Sequence, residues 1–86
     1  MAWRNDSFRF EIVKSLGIIA ERNGADGTPW TREVNLVSWN GREPKVDIRE
    51  WNADHTKMSK GITMTDEEAE QMCMILHNYI SERSAK

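Results

Sequence analysis

The Asn40-Gly41 dipeptide near the middle of the chain is the feature that most narrows the choice of fold. Both residues tolerate positive φ, and they stand between two runs of alternating apolar and polar residues, which predicts a tight antiparallel hairpin. The run before the turn carries Val34 and Leu36 on one face, and the run after it spans residues 45–51. Because side chains alternate with a period of two, parity assigns the residues of each strand to the two faces of the sheet.

A longer alternating run at residues 8–20 predicts the first strand of the same sheet. Its even positions are apolar apart from Lys14, which is typical of a half-buried strand. Gly17, in the middle of the run, predicts a bend or a bulge. A short fourth strand is predicted at residues 61–64, after a polar loop.

The last part of the chain predicts one helix. Thr65 and Glu68 form a capping box at its start, and the acidic residues between them complement the positive end of the helix dipole. Apolar residues then recur every three or four positions, as expected of a helix that lies on a sheet. This stripe consists of Ala69, Met72, Cys73, Leu76, Tyr79 and Ile80. Met74 and Ile75 fall outside it, which indicates a second covering surface such as another subunit.

Together these elements predict an α+β fold in a single domain of 86 residues. The expected layout is an N-terminal tail at residues 1–7, a four-stranded antiparallel sheet at 8–64, and a helix at 65–84 packed on one face (β-β-β-β-α). A core this small leaves only a few kcal/mol of net stability, so a partner subunit would help the fold.

The composition and charge narrow the functional classes. The formal net charge of −2 argues mildly against nucleic-acid binding, although it divides weakly into −3 for residues 65–86 and +1 for residues 1–64. The sequence contains no apolar run of about 18 residues that would span a membrane and no apolar segment of a secretory signal at its start. Cys73 is the single cysteine, so a reducing, cytoplasmic setting is expected.

The sheet face away from the helix is the candidate functional surface. Parity places Arg49 and Trp51 on that face, and Trp39 lies beside the hairpin turn. Aromatic rings and cations on a sheet suit single-stranded nucleic acid, because every base can stack, at about 1–3 kcal/mol per base. The basic residues available to follow a phosphate backbone are Arg32, Arg42, Lys45, Arg49, Lys57 and Lys60.

From periodicity alone, a different interpretation of this face is favoured. Aromatic residues that look exposed more often mark protein contacts, so the tryptophans are then buried in a dimer interface and the cations are simply solvated. The spacing of Cys73 and His77 suits a metal, but two ligands do not make a site, and Cys73 is expected to be a packed small apolar residue. Asp47 and Glu50 face opposite sides of a strand. No enzyme, catalytic residue, metal or cofactor is therefore expected.

Three segments, VNLVSWNG, DIREW and KGITMT, lead into the acidic-capped helix. In this order they resemble the single-stranded-DNA-binding domain of transcriptional positive cofactor four, also called p15, and most nearly its bacterial YdbC-like branch. The resemblance covers roughly Glu33 to Ile80. It implies a homodimer in which the helices share a core, and binding of single strands and unwound duplex largely without sequence preference.

The resemblance also implies the roles of individual residues. The hairpin aromatic of the family falls on Trp39, its basic turn residue near Arg42, the arginine of DIRE on Arg49, and the lysine before GI on Lys60. Trp51 departs from the pattern, since the aromatic of the eukaryotic domain lies one place further along. The hairpin of this chain also carries fewer lysines than that of the eukaryotic domain.

The sequence thus predicts single-stranded DNA binding by a cytoplasmic, nucleoid-associated homodimer in transcription or another DNA transaction. Trp39 and Trp51 are expected to stack bases, and Arg49 and Lys60 to contact phosphates. The remaining basic residues, Arg32, Arg42, Lys45 and Lys57, are expected to form a diffuse rim. Two alternatives stay open: a protein-interaction module that uses the same face, with a partner in the transcription machinery, and a protein whose ligand is RNA.

Overall fold

The computed structural model describes residues 9–84, so the predicted tail at residues 1–7 and the predicted strand position of Phe8 lie outside the described residues. Within them, four strands form one antiparallel sheet in the order β1-β2-β3-β4, followed by one C-terminal helix, as predicted. The elements are β1 (Phe10–Asn23), β2 (Pro29–Trp39), β3 (Lys45–Asn52), β4 (Ile62–Met64) and α1 (Asp66–Ser84).

The turn between β2 and β3 has the conformation that its two residues predict. Asn40 and Gly41 have φ of 55° and 76°, and the Arg42 amide donates a hydrogen bond of 3.0 Å to the Trp39 carbonyl. The Asn40 side chain also accepts a hydrogen bond of 2.6 Å from the Arg9 amide. The turn therefore closes the hairpin and holds the chain just before β1 against it.

The two faces of the sheet differ in chemistry. The pairing of β2 with β3 puts Glu33 opposite Arg49 on one face and Val34 opposite Ile48 on the other. The first, here called the aromatic face, carries Glu33, Asn35, Val37, Trp39, Asp47, Arg49 and Trp51. The second, here called the apolar face, carries Val34, Leu36, Val46, Ile48, Ile62 and Met64.

The regular alternation predicted for the first strand is interrupted. Three register shifts occur in β1, one of them next to Gly17, where a bend or bulge is predicted. Each shift changes which residues face which side. Phe10 consequently lies opposite Trp39 on the aromatic face, whereas Lys14 and Ala20 lie opposite Leu36 and Arg32 on the other, so the even positions do not all share one face.

The sheet curls over its aromatic face. Phe10 pairs with one end of β2, whereas Trp51 pairs with Thr31 near the other end. A flat sheet would hold these two positions about 26 Å apart, because a strand advances about 3.3 Å per residue. Their ring centroids are 5.1 Å apart. The register shifts of β1 account for this curvature, since bulges bend a strand and increase its twist, and the aromatic face becomes the interior.

The helix packs against the sheet only through its first turns. The capping box forms as predicted, with Thr65 and Glu68 exchanging hydrogen bonds of 2.8 and 3.1 Å. Ala69 and Met72 are half-buried near β3 and β4, but every helix side chain at residues 73–83 is exposed. Most of the predicted apolar stripe is therefore uncovered in the single chain.

Candidate nucleic-acid interface

Four rings from three parts of the chain form an aromatic cluster inside the curled sheet. The Phe10 ring lies 5.8 Å from Trp39 and 5.1 Å from Trp51, and Trp51 lies 5.3 Å from His55, all with tilted planes. These separations and tilts are those that aromatic pairs favour. The cluster therefore joins the two ends of the curled sheet.

Trp51 does not offer its ring to solvent. Parity correctly places Trp51 on the face of Arg49, but its side chain is fully buried, at 0% exposure. The prediction that this ring lies on an outward face, ready to stack on bases, is wrong because the curvature of the sheet brings Phe10 against it. Trp39 is only half-buried.

Arg49 is held rigidly beside the Trp39 ring. Its Nε and Nη2 each donate a hydrogen bond of 2.7 Å to the Asp47 carboxylate, and its Cζ lies 4.5 Å from the Trp39 ring centre. Its Nη1 is 3.4 Å from both Met58 Sδ and the Ser59 carbonyl. The side chain is 13% exposed and Asp47 is 0% exposed. The guanidinium thus lies over the Trp39 ring in a cation–π contact, here called the Arg49–Trp39 stack, and anchors the loop between β3 and β4.

A buried carboxylate anchors the other end of that loop. Glu33 accepts hydrogen bonds from the hydroxyl of Thr31, from Asn35 Nδ2 at 3.1 Å and from His55 Nε2 at 3.0 Å. Burial alone raises the pKa of Glu33, but the bonds from Thr31, His55 and Asn35 outweigh it and lower the pKa below its usual value. The charged Glu33 carboxylate therefore holds His55, which adopts φ of 60°, against Trp51.

Arg32 belongs to a separate ion cluster. It lies opposite Glu50 on the side of the sheet away from Arg49, and its Nη2 donates a bond of 2.6 Å to Glu50. Arg22 of β1 donates to the other oxygen of the same carboxylate. Hydrogen bonds from Arg22 and Arg32 lower the pKa of Glu50. The charge of Arg32, whose side chain is 52% exposed, is therefore paired with Glu50 on the face opposite to Arg49.

The other predicted basic residues are exposed. Arg42 lies in the turn between β2 and β3, and Lys45 begins β3 opposite Val37. Lys57 and Lys60 lie in the loop that Arg49 and Glu33 anchor. A groove of about 290 Å³ beside β3 has Arg32, Arg49 and Lys60 in its lining, although the side chains of Arg32 and Arg49 lie on opposite faces of the sheet.

The sequence reasoning missed Phe10, Asp47 and His55 as parts of this site. The position of Asp47 in the site could have been predicted, because it lies two residues before Arg49 and strand residues at that spacing share a face. The positions of Phe10 and His55 could not have been predicted in this way, because the bulges of β1 and the path of the loop bring them to the aromatic cluster.

Protonation of Glu33 and Glu50 should weaken the hydrogen-bonded clusters that these two carboxylates hold together. A carboxyl with a lowered folded-state pKa stabilises the fold above its unfolded pKa, and this stabilisation is lost as the pH falls through the folded value. The free energy of unfolding should therefore decrease as the pH is lowered below 4.5, the usual pKa of a glutamate. The decrease should be less steep in Glu50→Gln than in the parent. Urea titrations at neutral pH and near pH 3.5 measure this, with Glu43→Gln, on an exposed loop, as the control. Identical losses in Glu50→Gln and the parent would contradict it.

Among residues 9–84, the structure shows neither a metal-binding cluster nor a membrane-spanning helix. Their His, Cys, Asp and Glu side chains form no group of three or more that could hold a metal ion, and Cys73 is exposed rather than packed as expected. No helix among these residues is long and apolar enough to cross a membrane.

The fold and this face define a class of protein: a small sheet-and-helix domain with a curled four-stranded meander, a stacked aromatic and arginine pair, and exposed cations around it. The chain belongs to the Transcriptional Coactivator p15 (PC4) family, whose model matches residues 27–75. This confirms the resemblance to that family. The family binds single-stranded DNA and is not enzymatic.

The chain is also similar to an uncharacterised protein of Treponema pallidum (strain Nichols). The two are 41% identical over 61 residues, which make up 71% of this chain and 67% of that protein.

Proposed function

We propose that this chain binds single-stranded DNA, largely without sequence preference, as a homodimer that acts in transcription or another DNA transaction on the nucleoid. The observation that carries the proposal is the Arg49–Trp39 stack, which is braced by a fully buried Asp47 and bordered by exposed lysines. Membership of a family that binds single-stranded DNA supports the same conclusion.

Bases and phosphates are bound by different parts of this surface. The half-buried Trp39 ring stacks on a base, and Arg49, whose Cζ lies 4.5 Å from the ring centre, fixes the orientation of that ring. The nitrogens of Arg49 already donate within the chain, so phosphates are held mainly by the exposed cations. These are Arg42, Lys45, Lys57 and Lys60. Trp51 contributes by packing under Phe10, away from the bases.

The homodimer is supported by the apolar surface that the single chain leaves uncovered. Leu76, Tyr79 and Ile80 of α1 are 48%, 57% and 48% exposed, and Ile62 on the apolar face is 63% exposed. Soluble proteins rarely leave apolar patches of this extent in water. A second copy with the same two surfaces buries the helix stripe of one chain against the partner in an interface with two-fold symmetry.

The proposal is tested by replacing the stacking ring. Trp39→Ala is expected to weaken binding of a labelled single strand of about 20 nucleotides by about 5- to 100-fold, since stacking contributes about 1–3 kcal/mol per base. Fluorescence anisotropy measures the dissociation constant at several salt concentrations. Trp39→Phe keeps a ring and should retain most of the affinity, and Lys60→Gln should reduce the salt slope by about 0.7. Unchanged affinity in Trp39→Ala would overturn the stacking role.

The same titration separates the alternatives. A matching duplex should bind more weakly than the single strand, and an RNA strand of the same sequence shows whether the 2′-hydroxyl is tolerated. Phosphate-led binding weakens steeply with salt, whereas an apolar docking surface responds little. No binding to either strand at low salt would discard the proposal in favour of a protein-interaction surface.

A further inference from the structure

A second cavity lies at the end of the sheet, outside the aromatic cluster. It has a volume of about 400 Å³ and forms where the β1–β2 turn meets the loop after β3. Its walls include Gly24, Asp26, Trp30, Asn52 and Lys57. Trp30 pairs with Asn52 across β2 and β3, on the face opposite to Trp51, so the sheet backbone separates this cavity from the aromatic cluster.

The turn that forms one wall is fixed by its own hydrogen bonds. The Gly24 amide donates to the Thr28 carbonyl at 2.7 Å, and the Thr28 amide donates to Asp26 Oδ1 at 3.0 Å. Gly27 completes the turn with φ of 84°. The bonds from Thr28 lower the pKa of Asp26, and the nearby charge of Lys57 lowers it further. The wall therefore offers a charged, oriented hydrogen-bond acceptor.

The Trp30 ring lies directly on the backbone of this turn. A Cβ atom at Gly24 would lie 2.9 Å from Trp30 Nε1, closer than real Cβ contacts, and 3.1 Å from its Cδ1. The absence of a side chain at Gly24 thus allows this edge of the indole to lie against the turn. The half-buried ring forms an aromatic wall of the cavity.

The third wall of the cavity is formed by Asn52 and Lys57, and hydrogen bonds fix the backbone of Lys57. The Lys57 amide donates to Asn52 Oδ1 at 2.9 Å, and the Asn52 amide donates to the Lys57 carbonyl at 3.1 Å. Asn52 Nδ2 also donates to Thr56 at 3.0 Å. The backbone of Lys57 is therefore tied to the end of β3, and this exposed residue lines the cavity.

We propose that this cavity binds one nucleotide, with the base against Trp30, a base N–H donated to Asp26, and the phosphate at Lys57. The inference rests on the proposed single-strand binding and adds a second subsite to it. The volume falls in the range of about 300–1,000 Å³ that small-molecule sites occupy. An aromatic wall, an acceptor and a cation complement the ring, the N–H groups and the phosphate of a nucleotide, respectively.

The test is a titration of the intact protein with deoxyadenosine 5′-monophosphate, followed by the indole N–H resonances of its tryptophans. The Trp30 resonance, identified from Trp30→Phe, should shift in a saturable manner. Lys57→Gln, at an exposed position that leaves the fold intact, should weaken the response by about fivefold, and deoxyadenosine without the phosphate should bind with similar weakness. A Trp30 resonance that does not move would overturn the subsite.

A longer strand distinguishes this inference from the function on which it rests. Trp30→Leu should weaken binding of a strand of about 20 nucleotides by about 5- to 10-fold, with Trp30→Phe as the matched control that keeps the ring. If the strand binds and shifts the Trp39 resonance while Trp30→Leu binds as tightly as the parent, the second subsite is wrong and the proposed function stands. If the strand does not bind, the proposed function fails, and the mononucleotide titration alone decides whether the cavity is a nucleotide site.

Discussion

Replacing Asp47 by alanine is expected to destabilise the fold by about 3 kcal/mol, the low end of the range for breaking a buried ion pair. Asp47 is 0% exposed and makes two hydrogen bonds of 2.7 Å with Arg49, whose side chain is 13% exposed. Without the carboxylate, the charge of Arg49 stays largely buried and unpaired. The Arg49–Trp39 stack should loosen as well, so single-strand binding should weaken in Asp47→Ala even where the protein remains folded.

Urea unfolding followed by circular dichroism measures the loss of stability. Glu43→Ala removes an exposed carboxylate from the turn after β2 and should change the free energy of unfolding by no more than about 0.5 kcal/mol. The double variant Asp47→Ala/Arg49→Met removes both charges and should be more stable than Asp47→Ala alone. An Asp47→Ala protein that unfolds at the same urea concentration as the parent would show that the pair does not brace the site.

Leu76→Asp is expected to convert the proposed homodimer into a monomer. Leu76 lies in the middle of the α1 stripe and is 48% exposed in the single chain, so a carboxylate there is tolerated by the monomer. In the dimer the same carboxylate would be buried without a partner, at a cost of several kcal/mol in each of two symmetry-related positions. Dimerisation should therefore become less favourable by more than a small interface can offset.

Sedimentation equilibrium at micromolar concentration gives the oligomeric state of the parent and the variant. Asn78→Asp adds the same charge at an exposed helix position outside the apolar stripe and should leave the dimer intact. A parent protein that sediments as a monomer would refute the homodimer, and so would a Leu76→Asp protein that remains dimeric.

The elements that depend on local interactions could be predicted from the sequence. The Asn40-Gly41 turn and the capping box at Thr65 form as predicted, because each depends on residues a few positions apart. The parity of β3 correctly joins Arg49 and Trp51 on one face. The position of Arg32 was also readable, since it shares parity with Val34, and the prediction grouped it with the wrong face.

The remaining features depend on contacts that the local pattern does not encode. Register shifts in β1 are set by the pairing with β2, and they bring Phe10 to the aromatic face. The burial of Trp51 follows from the curvature of the whole sheet. The exposed helix stripe was predicted from its period, but the period does not tell whether the covering surface belongs to the same chain or to another.

The outer strands of the sheet also bear on how this chain behaves at high concentration. A long, regular edge strand presents unpaired amides and carbonyls to which other chains can add, which is a route to aggregation. Here one edge, β1, is long but broken by three register shifts, and the other, β4, has only three residues. Neither edge therefore offers a continuous template to which the sheets of other copies could add.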